Sequence, residues 1–575
     1  MYQWSGNERR RVLNPDRRII YDVNAEHDAG VVAPQLEIEQ EARPETEPRL
    51  NLRARFQEWD PGIGVLAYVL CLVSFSASAW VSTRVFDRLP HVEDDVAFLF
   101  QAKTIASGHL LATPPSQPLF FQIPFVIIRD GHWFGKYPPG YPAVLALGVL
   151  TGQPWLLNPL IGALTVWLIF VAGRRLFDAQ TGLLASALLV ASPFFLLQSG
   201  SFMSHTTTLF WTTAFLLLFE STRRTRALWR AVLAGAVIGM LFFSRPLTAV
   251  GIGLPFALWA LFDLGFNWRR LREYGTMALA FLPFALGMLQ YNRITTGHAT
   301  KFAYQLWWPY DKIGFGPDVG IGGHTFAAGK LDTRIDVDQL GHYLYGWPGH
   351  LSLVPLYLGL FLAVVGLLWR ASSYLAAHRS GWRGEPRLAP ELWDLLLAGM
   401  IVSLIAVHIA YWTPGLMYGP RYYFEAIGAM VLLSSRGILG FASLVAVLVR
   451  RALPRLPQAG VWTSAALLVV VAALTLWNFN NYAPARFREF TNWYNINANG
   501  LRVVDAAGIS NAVVFVHEEQ WTDYAPFFSQ NTPALNTDIV YAIDQGEANS
   551  QLMAEYPGRH YYRYANGQLT PLPGP

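Results

Sequence analysis

Charge is what this sequence has least of. Asp, Glu, Lys and Arg make up 14% of its 575 residues, against 53% that are hydrophobic. A soluble domain usually carries about 25% charged residues, so the deficit excludes a chain that meets water on every side. Mean hydropathy is +0.27, and the apolar residues recur in runs near the roughly 20 residues a helix needs to cross a bilayer. A mainly α, polytopic transmembrane helical bundle is therefore predicted.

Cysteine is nearly absent. The one thiol, Cys71, lies inside the first apolar run, which excludes an intramolecular disulfide. No internal repeat or low-complexity segment stands out, and this weakens an inverted-repeat transporter. No nucleic-acid signature is apparent, because topology accounts for the Arg clusters. His324, His342 and His350 lack close ligand spacing, which argues against a zinc site. Residues 1–58 hold no apolar stretch of the kind found in cleavable leaders. Rich in Arg, Glu and Pro, they are expected to be a disordered cytoplasmic tail.

The arginines orient the helices. Clusters occur at Arg174-Arg175, at Arg223-Arg224 with Arg226 and Arg230, at Arg269-Arg270 with Arg272, over Arg370–Arg387, and at Arg450-Arg451. If each faces the cytoplasm, about eleven spans follow, near 62–81, 155–173, 182–199, 203–220, 230–245, 247–264, 275–291, 351–369, 395–412, 422–449 and 461–479. This parity puts the loops at about 82–154 and 292–350, and everything from 480 onward, outside a plasma or inner membrane, with the N-terminus in the cytoplasm. The run 422–449 contains Ser434-Ser435-Arg436 and also fits two elements. Stretches 512–516 and 538–542 read as strands of a small extracytoplasmic α/β domain over 480–575. The expected organisation is thus a tail (1–58), a membrane domain with outer juxtamembrane helices (59–479) and that C-terminal domain.

The most informative segment is HVEDDVAF at 91–98, three consecutive carboxylates just past the first apolar run. Apolar positions 98, 102 and 105 have helical spacing, and Gly108 suits a stop. Asp94 and Asp95 would then stand at a helix N-terminus, where the dipole favours their ionised forms. Capping acids on an interfacial helix are one reading of them. Downstream, KYPPGYP at 136–142 is a rigid aromatic turn presenting Lys136. Such a lysine suits phosphate, or snorkels at the headgroup layer.

These motifs together resemble the GT-C superfamily of integral-membrane glycosyltransferases, nearest the protein O-mannosyltransferases and the lipid A aminoarabinose transferases. Besides the acidic pair and Lys136 with its prolines, the resemblance rests on Arg174-Arg175-Leu176-Phe177, Ser244-Arg245-Pro246 and Gly419-Pro420-Arg421-Tyr422-Tyr423, over roughly residues 60–435. The chain departs from the pattern at Asp95, commonly Glu, and at Phe98, commonly Tyr. The resemblance implies transfer of a sugar from a polyprenyl-phosphate donor to a lipid, glycan or protein acceptor at the extracytoplasmic face. It implies Asp94 as general base, with Asp95 orienting it, sharing its charge, or joining it on a divalent cation; no other cofactor is expected. Repulsion between the two carboxylates should raise one pKa and favour base action near neutrality. Lys136, Arg421 and then Arg245 are the cations expected to meet the leaving phosphate. Glu93, Tyr137, His324 and Trp307 are further expected substrate contacts, although tryptophans and tyrosines also belt membrane interfaces.

Two other classes compete, a transporter or lipid flippase and a non-catalytic scaffold. A transporter places ionisable groups at mid-span in broken helices. This chain is read as keeping its acids out of its spans and gathering polar chemistry on one side, which favours an enzyme.

Overall fold

A computed structural model describes residues 61–378, 390–452 and 458–574. The tail expected over 1–58 and part of the Arg370–Arg387 segment lie outside these residues.

Every predicted span falls largely on helix, the one at 395–412 running past a helix that ends at His408. α1 (Pro61–Arg84) is followed by α2 (Glu93–Ala106), the hairpin β1 (Val126–Arg129) and β2 (His132–Gly135), and α3 (Gly140–Leu150). Then come α4 (Leu157–Leu176), α5 (Ala179–Val190), α6 (Pro193–Gly200), α7 (His205–Thr225), α8 (Leu228–Ser244), α9 (Pro246–Phe266) and α10 (Leu271–Thr296). A long loop carries α11 (Phe326–Tyr343) before α12 (Val354–His378), α13 (Pro390–His408), α14 (Ile427–Ala452) and α15 (Ala459–Trp477).

Among the described residues, six helical stretches are long and apolar enough to cross a membrane, and the α5–α6 pair, bent by 64°, makes a seventh if it counts as one span. The other four of the expected eleven (α7, α8, α10 and α13) fall short in length or apolarity. The bend has a local cause: Ser192 accepts the Phe195 amide as N-cap and Pro193 opens the second helix, so the chain restarts rather than continues.

Helices in lipid gain little by hiding apolar surface from one another, so close backbone approach holds them together. A Cβ on Gly182 of α5 would sit 2.4 Å from the Phe170 carbonyl oxygen of α4, and one on Gly173 would sit 2.4 Å from the Gly182 Cα. Gly182→Leu is therefore expected to prevent this crossing. The check is a folded, monodisperse peak after detergent extraction, which the variant should lack.

One alternative is settled and one sequence expectation needs correction. The run 422–449 is a single span, as first read, and does not divide: a 3-10 turn (Arg421–Ala426) leads into one continuous α14. Arg436 is tolerated inside it because Asp394 of α13 pairs with it at 3.1 Å, and paired charges survive at membrane depth. Nor are the spans free of acids. Asp263 in α9 holds Arg223 at 3.5 Å and Arg270 at 3.3 Å, and Glu425 stands at the foot of α14.

Beyond α15 come α16 (Ala483–Phe490), α17 (Asn499–Ala506), β3 (Ala512–Val516), α18 (Trp521–Phe528), β4 (Ile539–Ile543), α19 (Asn549–Glu555), β5 (His560–Ala565) and β6 (Gln568–Leu572). The sheet order is β4-β3-β5-β6, with β3 parallel to both neighbours and β6 antiparallel at the edge. Both predicted strands are present, the second displaced by one residue. β5 and β6 escaped the sequence reading because their exposed positions break any apolar run.

This sheet shares its core with the first long loop. Phe528 packs on Phe100 at 5.8 Å and Trp133 at 6.1 Å, and Phe515 meets Phe120 at 6.2 Å. Lys103 of α2 donates to the carbonyls of Ser529 and Asn531. The helix bearing the acidic motif is thereby clamped on its far side by the C-terminal sheet.

Candidate active site

α2 opens at Val92, which is extended and makes no side-chain cap bond. Asp94 accepts the Tyr137 hydroxyl on Oδ1 and, on Oδ2, the Arg421 Nη1 at 3.4 Å. Helix α2, the KYPPGYP turn and the turn before α14 thus meet at one carboxylate.

Each partner is held by its own local structure. The Tyr137 carbonyl accepts Gln101 Nε2 at 2.9 Å and the Tyr291 hydroxyl at 3.2 Å. Its ring lies 4.4 Å from Phe98, so the aromatic residue that departs from the family pattern packs against the tyrosine that reaches Asp94. The Lys136 amide bonds the Phe125 carbonyl at 2.9 Å, which continues the β1–β2 hairpin. Its ammonium lies 3.2 Å from the centre of the Phe125 ring and 4.2 Å from that of Trp308, a cation–π cage. Trp307 meets Phe125 edge-on at 5.7 Å and so walls the cage from outside. The Arg421 amide is held by the carbonyls of Gly415 and Gly419 at 2.8 and 2.9 Å. Gly419 has φ +109°, and a Cβ there would meet the Phe194 ring at 2.6 Å, so only glycine fits this turn.

The two aspartates have opposite environments. Burial alone would raise Asp94, but Arg421, Lys136 and Tyr137 outweigh it and hold the carboxyl below its usual range. Burial, then the charge of Asp94, pushes Asp95 well above that range. Asp95 is 1% exposed, and its Oδ1 has no hydrogen-bond partner among the described residues. The expected repulsion thus raises the pKa of the inward member of the pair, not of Asp94. The pair also fits a shared cation poorly, since Asp94 is already bonded through both oxygens and Asp95 faces inward. Burial brings Lys136 down to about 8 against the opposing pull of Asp94 and Asp311. Glu93, half-buried beside them, is raised by burial.

Arg245 is tied up differently from expectation. Its Nε lies 3.3 Å from Glu425 Oε1, and its Nη1 donates to Ser204 Oγ at 3.3 Å. The same Glu425 oxygen takes the Thr208 hydroxyl at 2.7 Å and His205 Nδ1 at 3.0 Å. Glu425 and His205 are fully buried. Sequence reasoning missed both, although Glu425 is the only acid in the run 422–449, and an acid at membrane depth is itself a signal. It also missed Asp311, which accepts from Tyr411 at 2.9 Å and Trp412 at 3.0 Å.

His324 is engaged in structure. Its Nε2 lies 3.0 Å from the Ile409 carbonyl, its ring stacks on Phe315 at 5.5 Å, and its backbone pairs with Gly316.

Residues 142–288 match the family model of dolichyl-phosphate-mannose-protein mannosyltransferases, and residues 512–574 match a domain family of unknown function. Of the expected catalytic and phosphate-binding residues, only Arg245 lies inside the first match; the others flank it. No curated protein sequence matches the chain. Among solved structures, it is similar to ArnT from Cupriavidus metallidurans bound to undecaprenyl phosphate, with 16% identity, 88% of this chain and 93% of that one covered, and a TM-score of 0.46. It is also similar to the archaeal oligosaccharyltransferase AglB from Archaeoglobus fulgidus in complex with an inhibitory peptide and a dolichol-phosphate, with 14% identity, coverage of 87% and 69%, and a TM-score of 0.45. The family match bears out the resemblance read from the sequence over residues 142–288, where this chain is similar to the dolichyl-phosphate-mannose-protein mannosyltransferases.

Proposed function

We propose that this protein moves a sugar from a polyprenyl-phosphate carrier to an acceptor at the extracytoplasmic face of a plasma or inner membrane. The observation that carries this reading is the meeting of one ionised carboxylate, Asp94, with Arg421 and Tyr137, beside the caged Lys136. The matched family is named for a polyprenyl-phosphate sugar donor. The Arg clusters between spans support the orientation.

The donor already carries its leaving group, a phosphate that needs neutralising rather than protonating. Arg421 and Lys136 supply that charge, with Arg245 a more distant third because Glu425 shares it. Cations drawn to the phosphate act less on Asp94, so donor binding restores the basicity they suppress. Asp94 then takes the acceptor's proton as the acceptor oxygen bonds the anomeric carbon and the carbon–phosphate-oxygen bond breaks. Tyr137 positions Asp94, Trp307 and Glu93 border the substrates, and neutral Asp95 anchors the first turn of α2. The acceptor belongs to the lipid, glycan or protein class.

Transfer from radiolabelled polyprenyl-phosphate monosaccharides into membrane-extract acceptors tests the reading. Failure of folded protein to bind any such lipid would overturn it and favour a transporter. A pH series tests the lysine. The phosphodiester donor keeps its charge, whereas Lys136 loses its own as pH rises through about 8. Donor Kd is expected to stay flat between roughly pH 6 and 7, then rise by up to about tenfold per unit above 8. Lys136→Arg, which stays charged, should flatten that rise.

A further inference from the structure

We propose that Asp338, His342 and His350 form a binding site for a divalent transition metal, zinc by preference, that fastens α11 to the segment entering α12. Asp338 and His342 are four residues apart on α11 and so share a helix face. His350 comes back onto that face from the far side of a tight turn. One ligand atom from each residue lies within 4.8 Å of the others. His350 Nε2 is 2.9 Å from Asp338 Oδ1, and the two imidazole rings are 4.7 Å apart.

The backbone is shaped for this approach. A Cβ on Gly341 would lie 2.5 Å from His350 Cδ2, so the glycine is what lets the ring rest on the helix. Gly349, with φ +56°, turns the chain just before His350. Neither feature serves stability alone, because Asp338 and His350 are about half exposed and an exposed ion pair adds little.

Two imidazoles and a carboxylate suit zinc better than magnesium or calcium, which prefer oxygen ligands. Tetrahedral bonds of about 2.0–2.1 Å place ligand atoms roughly 3.3 Å apart, a separation that small side-chain rotations reach from here. Water would complete the fourth position. The zinc site that sequence spacing argued against is thus assembled by folding, from one helical i,i+4 pair and one residue beyond the turn.

The consequence for transfer rests on the proposed function. Asp336 of α11 accepts the Gly415 amide at 3.2 Å, and the Gly415 carbonyl holds the Arg421 amide at 2.8 Å. Fixing α11 therefore steadies the turn that presents Arg421 to Asp94.

The experiment uses the full chain in detergent, stripped with chelator and titrated with Zn²⁺, with Co²⁺ absorption reporting geometry. One equivalent and a tetrahedral Co²⁺ spectrum are expected. His342→Ala and the exposed His350→Gln should each weaken binding at least tenfold, Gly341→Ala should weaken it too, and Asp94→Asn should leave it intact. Wild type that takes up no metal overturns the site, as does loss of the equivalent in Asp94→Asn but not in His350→Gln. Metal uptake without any sugar transfer upholds the site and counts only against the transferase reading.

Discussion

Asp94→Asn is expected to slow sugar transfer by about 10²–10⁴-fold, the usual contribution of a positioned general base. The donor Kd should hold or tighten. Asparagine keeps an oxygen for the Tyr137 hydroxyl, so the first turn of α2 survives. It offers Arg421 no charge, which leaves the guanidinium to the donor phosphate. The informative control is Asp95→Asn. Burial raises that carboxyl well above its usual range, so an isosteric amide should change turnover little. Rates for both variants, measured at saturating donor beside a binding isotherm, decide the matter. Equal losses in the two would remove the distinction between base and anchor, and an active Asp94→Asn would remove the base.

Glu425→Ala should produce the largest loss of stability. One carboxylate oxygen gathers Arg245, His205 and Thr208 in a fully buried position. Removing one partner from a buried ionic cluster costs about 3–5 kcal/mol, and the partial exposure of Arg245 places this loss toward the lower end. The same cluster ties α7, the start of α9 and the turn before α14 together, so the loss should be felt across the bundle. Thermal unfolding in detergent is expected to show a clearly lowered midpoint for Glu425→Ala. Glu425→Gln, which keeps an acceptor for Thr208 and His205 but not the charge for Arg245, should fall between it and wild type. A Glu425→Ala protein as stable as wild type would show the cluster to be solvated rather than buried.

Much of this was legible beforehand, for a physical reason. A bilayer offers no hydrogen bonds to the backbone, so each long apolar run must become helix, and six or seven stretches among the described residues are long and apolar enough to cross one. Where each helix begins and ends was less legible: the run at 182–199 breaks into α5 and α6 with a 64° bend, because Ser192 and Pro193 restart the helix there. The acidic motif, Lys136 and Arg421 could be found as residues because unusual charges stand out in an apolar chain. Their roles could not be assigned the same way. Asp94 and Asp95 are adjacent, and successive side chains on a helix point roughly 100° apart. One therefore meets Arg421 and Tyr137 while the other enters the core, and only the packing on each side settles which.

The same limit explains Glu425 with His205, separated by 220 residues, and His350 reaching Asp338 across a turn. The sequence by itself determined the solvent, the helices and the kinds of charge available, because these follow from local composition and periodicity. Tertiary structure alone decided which carboxylate is ionised, which arginine is committed to Glu425 and which histidines meet. Those outcomes depend on distances and desolvation between segments far apart in the chain, and no local pattern carries that information.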